Sequence, residues 1–429
     1  MQSVEAAALP ARRVLGAGAA AAFAAIVSLF FLWGMANNLN DILIKQFKKA
    51  FELSDFGAGL VQSAFYLGYF VFALPAGFCT RRVGYKGALV IGLALYAAGA
   101  FLFYPAAEAR GYGLFLLALF VIASGLAFLE TSANPLVTVL GAPEGAARRL
   151  NLAQSFNPLG SIAGVLIGQH FILSGIELSP TGLAALAPAA RQAYLASETK
   201  AVQGPYLVIG AIALLWALVI ALVRIPKAET AAERPDVEAM ARSLWGNRNF
   251  GFAVAAQFLY VGAQVGVWSF LIRYTQTEVP GTPERSAANF LTISLVAFMV
   301  GRFAGTASMR FAAPARILTL FGGVAVGLVG FAVLHPGRSG VWALVATSFF
   351  MSVMFPTIFA LGLRGLNDAQ RKLGSSLLVM AIIGGAVLTA LMGAISDAAG
   401  IANAFGVPLV GFVAVVAFAL YSHRRPLAP

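Results

Sequence analysis

Twelve apolar stretches divide this chain, and each is long enough to cross a bilayer, which takes a helix of about 20 residues. A soluble fold does not suit them, because 60% of the 429 residues are hydrophobic and only 11% are charged, which leaves too little polar surface to coat a globule. The sequence therefore predicts an all-α membrane protein. The predicted spans are 18–48, 56–80, 86–106, 112–140, 149–174, 203–225, 248–276, 286–311, 315–334, 340–365, 373–396 and 402–422.

The lysine and arginine residues orient these spans. If the amino terminus is cytoplasmic, 19 of the 29 fall on the cytoplasmic side and eight on the outer side, as the positive-inside rule requires. We therefore expect a multi-pass protein of a bacterial inner membrane with both termini in the cytoplasm. The net charge of +12 does not indicate nucleic-acid binding, because the basic residues come singly or in pairs rather than in one patch.

The chain contains an internal repeat of six spans. In each half the fourth span carries a proline, Pro135 or Pro356, and a basic start to the fifth span follows, in "RRLNLAQSFNPLG" and "RKLGSSLLVMAIIGG". This pattern predicts an N-terminal six-helix bundle (1–225), a charged cytoplasmic linker (226–247) and a C-terminal six-helix bundle (248–429). Two pseudo-symmetric bundles with a binding site between them are typical of transporters that rock between two states.

Polar side chains interrupt several spans. An ionised side chain at membrane depth costs a few kcal/mol, so such groups normally face a bundle interior or a wet cavity. Asp41 shares one side of the first span with Asn37 and Asn38, and Glu130 lies one turn before Asn134 on the fourth. Amides and acids suit sugar hydroxyl groups, and aromatic rings suit the C–H face of a pyranose. The predicted substrate-binding residues are Asn37, Asn38, Glu130, Asn134, Gln154, Asn157, Gln257, Tyr260, Gln264, Trp268, Phe355 and Phe359.

Structural explanations of the same residues stay open. Either acid can be ion-paired with Arg273 or Arg302, which lie inside spans, and the amides can join helices to one another. Phe355 and Phe359 suit a core equally well. The segment 177–200 is expected to be an external loop with a short surface helix, to which we assign no chemistry.

The chain resembles the major facilitator superfamily. Within it, the sequence is most similar to the L-fucose permease branch of the fucose–galactose–glucose symporter family, through "FFLWGMANNLNDILIKQF", "LVQSAFYLGYF", "LETSANPLVTVLG", "RLNLAQSFN", "YVGAQVGVWSFLIRY" and "VMAIIGGAVLT". The resemblance implies that Asp41 and Glu130 take part in proton coupling and sugar binding. It also implies a gating role for Arg81 and Arg82 in "FCTRRVGYKG", although no acid precedes these arginines as in the commoner form. Arg302 is a gating candidate too.

These features favour proton-coupled import of L-fucose or a related hexose. Burial penalises the charged form of a carboxyl group, so a proton taken up by Asp41 from outside would let the loaded carrier turn inward. Glucose, galactose or amino-sugar transport and Na⁺ coupling remain alternatives, as do a proton-driven exporter of amphipathic compounds and a sugar sensor that does not transport. With no phosphate-binding loop, nucleophile arrangement or metal-ligand cluster, we expect no enzyme activity and no cofactor. We expect a monomer whose partners are the sugar and the bilayer.

Overall fold

Every regular element in the described part of the chain is a helix. The computed structural model describes residues 17–53, 55–167, 171–172, 182–183, 185–223 and 237–424. The α-helices are α1 Ala17–Ala50, α2 Asp55–Glu108, α3 Tyr112–Val139, α4 Ala146–Gln154, α5 Phe156–Ile167, α6 Pro188–Lys200, α7 Gln203–Leu222, α8 Val237–Gly246, α9 Arg248–Glu278, α10 Glu284–Ser308, α11 Pro314–Leu334, α12 Arg338–Met351, α13 Met354–Gly362, α14 Asp368–Met380, α15 Gly384–Ala399, α16 Ile401–Ala404 and α17 Gly406–His423.

All twelve predicted spans fall on these helices, although the fifth is described continuously only to Ile167. Nine described helical segments are long and apolar enough to cross a membrane, and one of them, Leu60–Glu108, covers two predicted spans. Gly84 separates those two spans with a backbone φ of 75°, a conformation that residues with a Cβ rarely adopt.

Breaks also occur within the predicted spans of the second half. The tenth span divides into α12 and α13 just before Pro356, and a 3₁₀ turn, Ala381–Ile383, divides the eleventh into α14 and α15. Proline removes a backbone donor and glycine weakens a helix interior, so both promote such breaks. The kinks expected from the scattered proline and glycine residues are therefore present.

Small residues bring α1 and α5 into direct backbone contact. A Cβ on Gly34 would collide with the backbone carbonyl of Asn157, and a Cβ on Gly160 with that of Phe31. The same arrangement recurs in the second half, where Gly384 lies against the backbone of α9. Close approach through small residues is a common means of helix association in membranes, and its repetition agrees with the internal repeat.

Two helices lie outside the spans. Helix α6 forms in the segment 177–200, as predicted, and a side-chain bond holds it to α1: the Gln46 Nε2 atom donates to the Glu198 backbone oxygen at 2.7 Å and to Oε2 at 2.8 Å. Helix α8 lies inside the segment predicted as a linker, where no helix was foreseen. Its Ser243 hydroxyl accepts a hydrogen bond from Gln370 Nε2 at 3.0 Å.

The two halves of the chain meet near one end, which we call the basic end because it carries Arg81, Arg82, Arg148, Arg364 and Arg371. Hydrogen bonds between described residues join the halves: Tyr85 hydroxyl to Asp368 Oδ1 (3.2 Å), Asn151 Nδ2 to Thr357 Oγ1 (3.0 Å), Arg302 Nη1 to the Gln154 carbonyl (2.9 Å) and Ser375 Oγ to the Thr131 carbonyl (2.9 Å).

Candidate functional site

Glu130 is a deeply buried acid. It lies in the part of α3 where every residue from 122 to 138 is buried, and only 3% of its surface is exposed. Among the described residues no lysine, arginine or histidine forms an ion pair with it. Pairing of Glu130 with Arg273 or Arg302 is therefore not seen. A buried acid with no cation beside it is a functional-site candidate by default.

Two predicted amides continue the polar region from Glu130. Asn134 lies one helical turn further along α3, and its Oδ1 atom accepts a hydrogen bond from Gln154 Nε2 at 3.1 Å. The Asn134 Nδ2 donor is buried and has no hydrogen-bond partner among the described residues. The Glu130 side chain lies beside Asn134, but no hydrogen bond of acceptable distance and angle forms to Nδ2. Since an unmade buried hydrogen bond costs about 1–3 kcal/mol, this donor favours a polar ligand.

Arg302 connects this polar region to the second half of the chain. The side chain is 4% exposed, and its Nε atom donates to the Ser352 carbonyl at 2.7 Å while Nη1 reaches across to the Gln154 carbonyl at 2.9 Å. The guanidinium group also lies 4.5 Å from the centre of the Phe298 ring. Among the described residues, the Arg302 guanidinium group therefore contacts two backbone carbonyls and an aromatic ring rather than an acid.

Helix α9 carries four more of the predicted residues, Gln257, Tyr260, Gln264 and Trp268. Gln257 is fully buried, and neither of its amide atoms has a hydrogen-bond partner in the described part of the chain. Tyr260 is also buried, but its hydroxyl donates to the Met351 carbonyl at 2.8 Å. Gln264 is partly exposed. Gln257 therefore has a buried amide donor and acceptor that no described residue uses.

The predicted aromatic residues have packing partners of their own. Trp268 Nε1 donates to Ser348 Oγ at 3.1 Å, and the indole packs edge-on against Phe298 at 5.0 Å. Phe355 and Phe359 stack at 6.2 Å. Phe359 is fully buried, whereas Phe355 and Trp268 keep part of their surface exposed. The exposed parts of Trp268 and Phe355 are the ones available to a sugar ring.

The predicted residues of the first span are only partly described. Asp41, Asn37 and Asn38 belong to helix α1, but their side chains lie outside the described residues. Asn157 on α5 is partly exposed, and its backbone packs on Gly34, one turn before Asn37. The contact between α1 and α5 therefore brings the predicted residues of these two helices to the same region.

The predicted gate residues lie at the basic end. Arg81, which makes contacts of its own, is half-buried and Arg82 is exposed, and both precede the break at Gly84. Sequence reasoning missed the contact beside them. The Tyr85 hydroxyl donates to Asp368 Oδ1 at 3.2 Å, and Lys372 Nζ lies 2.6 Å from Asp368 Oδ2 and 5.2 Å from the Tyr85 ring.

Asp368 thus brings an acid to the loop "FCTRRVGYKG" from the second half of the chain. We name the cluster of Tyr85, Asp368 and Lys372 the basic-end lock. The sequence gives one signal for it, the acid and base spaced i, i+4 in "DAQRK". That spacing does not reveal which distant residue contacts the pair.

A buried acid, unsatisfied amides and two sets of membrane helices that meet at one end define a multi-pass membrane transporter. The chain belongs to the Major Facilitator Superfamily, whose sequence model matches residues 13–382. The predicted all-α major facilitator fold is thus confirmed.

Two relatives agree with this assignment. The chain is 46% identical to the L-fucose-proton symporter of Escherichia coli K12 over 405 residues, which cover 93% of this chain and 92% of that protein. It is 38% identical to a glucose/galactose transporter of Brucella abortus over 405 residues, or 94% of each chain. The predicted similarity to the sugar symporters of this superfamily is confirmed, and both relatives are named as transporters rather than enzymes.

Solved structures give the same result for the fold. The crystal structure of the transporter FucP in the outward conformation matches with a TM-score of 0.88 and 46% identity, over 94% of this chain and 99% of that one. The proton:xylose symporter XylE matches with a TM-score of 0.65 at 13% identity over 95% of this chain and 96% of that one. This second likeness concerns the fold alone.

Proposed function

We propose that this protein imports L-fucose or a related hexose together with protons. The observation that carries the proposal is the buried Glu130, which forms no ion pair with any described cation and lies one helical turn before Asn134, whose buried Nδ2 donor has no hydrogen-bond partner among the described residues. A structural acid would be expected to have a partner of opposite charge. The named activity of the E. coli relative supplies the substrate class and the coupling ion.

In this mechanism Glu130 and Asp41 have different roles. Burial disfavours an ionised carboxyl group, so Glu130 in its neutral form offers one O–H donor and a carbonyl acceptor to neighbouring sugar hydroxyl groups. Asp41 takes up the proton from the outer side, and Glu130 shares in its transfer. Once both acids are neutral and the sugar is bound, the carrier can close around them.

The described hydrogen bonds between the halves support an outward-open arrangement. They lie near the basic end, which the positive-inside rule places in the cytoplasm. To release sugar inward, the bundles 1–225 and 248–429 must separate there, with the segment 226–247 between them. Arg302, Arg81 and Arg82 then act in the gate, because they lie where this separation begins.

The remaining assignments follow from this mechanism. We propose a monomer in a bacterial inner membrane with both termini in the cytoplasm, since the proposed site is formed by residues of one chain. Protons are the coupling ion. Na⁺ coupling is the alternative, because a carboxylate with nearby amide oxygens is also a suitable site for a hard cation.

Glucose and galactose are the second candidate substrates, because the Brucella relative is named a glucose/galactose transporter. Purified protein in proteoliposomes should be offered labelled L-fucose, D-glucose and D-galactose under an inward proton gradient, an inward Na⁺ gradient or no gradient. We expect concentrative uptake of L-fucose only when protons are driven inward. Uptake driven by Na⁺ alone would replace the proposed ion, and sugar binding without uptake would indicate a sensor.

Glu130→Gln should be compared with Glu144→Gln in this assay, since Glu144 is an exposed acid on the 3₁₀ turn Pro143–Gly145. We expect the first substitution to abolish concentrative uptake and the second to leave it unchanged. If both variants concentrate L-fucose as the wild type does, Glu130 is not part of the transport site. Export of an amphipathic dye by the wild type would favour the exporter alternative.

A further inference from the structure

Tyr69 on α2 is a buried tyrosine whose hydroxyl has no hydrogen-bond partner among the described residues. Only 4% of its surface is exposed. Buried tyrosine hydroxyls usually find a partner, because an unmade buried hydrogen bond costs free energy. The other buried polar atoms in this condition include Asn134 Nδ2 and both amide atoms of Gln257, which are predicted substrate-binding groups.

The helical turn that carries Tyr69 lies at the boundary between the two halves. A Cβ on Gly68 would lie 2.6 Å from the Phe120 carbonyl, so this turn packs tightly on α3. One turn earlier, the Tyr66 hydroxyl lies 3.5 Å from where a Cβ on Gly385 would stand, in the second half of the chain. In transporters built from two such bundles, substrates bind at this boundary.

Two groups on other helices lie near the Tyr69 hydroxyl, the Glu130 carboxyl group of α3 and the Trp33 indole of α1. The contact with Trp33 does not have the geometry of a hydrogen bond, because no bond is found for the Tyr69 oxygen by distance and angle. Tyr69 therefore brings an unused donor and acceptor to the region that contains Glu130.

We propose that Tyr69 is a further substrate-binding residue, which donates a hydrogen bond from its hydroxyl to one hydroxyl oxygen of the sugar held by Glu130. This inference rests on the proposed sugar-transport function. A sugar hydroxyl accepts from one donor while donating to another group, so Tyr69 and Glu130 can bind the same or adjacent hydroxyl groups. The residue then helps to determine which hexose is accepted.

The test compares Tyr69→Phe with Tyr96→Phe in purified protein. Tyr96 is an equally buried tyrosine on α2. Dissociation constants should be measured for L-fucose and for each of its monodeoxy analogues. We expect Tyr69→Phe to weaken L-fucose binding about tenfold, the equivalent of about 1.4 kcal/mol, and Tyr96→Phe to leave it unchanged.

The analogues separate a direct contact from an indirect effect. One deoxy analogue, which lacks the hydroxyl contacted by Tyr69, should bind equally to the wild type and to Tyr69→Phe. The same loss for every analogue, or no loss for L-fucose, would overturn this inference while leaving the proposed function intact. A wild type that binds no hexose would overturn both.

Thermal unfolding provides the control for folding. Because the Tyr69 hydroxyl is unpaired, Tyr69→Phe should unfold at the wild-type temperature or above it. A marked drop in the unfolding temperature, or failure of Tyr69→Phe to fold, would mean that the hydroxyl has a structural partner in the resting protein. Either result would contradict its assignment to the sugar.

Discussion

Under the proposed mechanism, loss of the Tyr85 hydroxyl weakens the state in which the basic end is closed. Tyr85→Phe removes the hydroxyl that reaches Asp368 and keeps the ring near Lys372 Nζ. Asp368 also keeps its ion pair with Lys372, at 2.6 Å, so the substitution leaves no buried charge unpaired. The change is therefore confined to one contact between the two halves.

The size of the effect follows from the type of bond that is lost. Hydrogen bonds to charged groups contribute about 1.5–3 kcal/mol, and the Tyr85 to Asp368 distance of 3.2 Å favours the lower value. Tyr85 and Asp368 belong to different halves, so the bond exists only while the basic end is closed. Losing about 1.4 kcal/mol from that state alone shifts the equilibrium about tenfold toward the state open at the basic end.

Spin labels on exposed Arg148 and Arg310, in a Cys79→Ala background, would report the distance between the halves at this end. We expect Tyr85→Phe to increase the population with the longer distance. Tyr112→Phe is the matched control, because its hydroxyl donates to the Gly57 carbonyl within the first half. Equal populations in the wild type and Tyr85→Phe would refute the role of this lock in gating.

Two further substitutions test the packing and the interface. Gly34→Ala should lower the unfolding temperature, because its Cβ would collide with the Asn157 carbonyl of α5 and overpacking costs about 1–3 kcal/mol. The control is Gly113→Ala at an exposed position where a Cβ meets no atom within 4 Å, and it should leave the unfolding temperature unchanged or raise it. The reverse order of unfolding temperatures would contradict the assigned packing. Thr357→Val removes the hydroxyl that accepts a hydrogen bond from Asn151 across the halves. Like Tyr85→Phe, it should shift the equilibrium toward the state open at the basic end, by about 1 kcal/mol. An unchanged distance distribution between the spin labels would exclude that bond from the gate.

The architecture could be predicted because it depends on local patterns. Apolar length gave the spans, and spacing placed Glu130 and Asn134 on one face of α3. Basic and small residues marked where spans begin and where helices approach closely. These signals need no knowledge of distant contacts, so the described helices agree with them.

The partners across helices could not be predicted in the same way. Tyr85 and Asp368 are far apart in sequence, and nothing in either segment indicates that the two residues are in contact. The bond between Gln46 and the buried Glu198 was missed for the same reason, since segment 177–200 reads as a surface loop. The role of Asp41 stays a prediction, because its side chain lies outside the described residues.

The measurement that tests the central claim most directly is sugar-induced proton entry into proteoliposomes, in the wild type and in Glu130→Gln. If Glu130 lines the shared route of sugar and proton, L-fucose should cause proton entry in the wild type and none in Glu130→Gln, while Glu144→Gln behaves as the wild type does. Proton entry of wild-type size in Glu130→Gln would contradict the account, because the buried acid would then take no part in coupling.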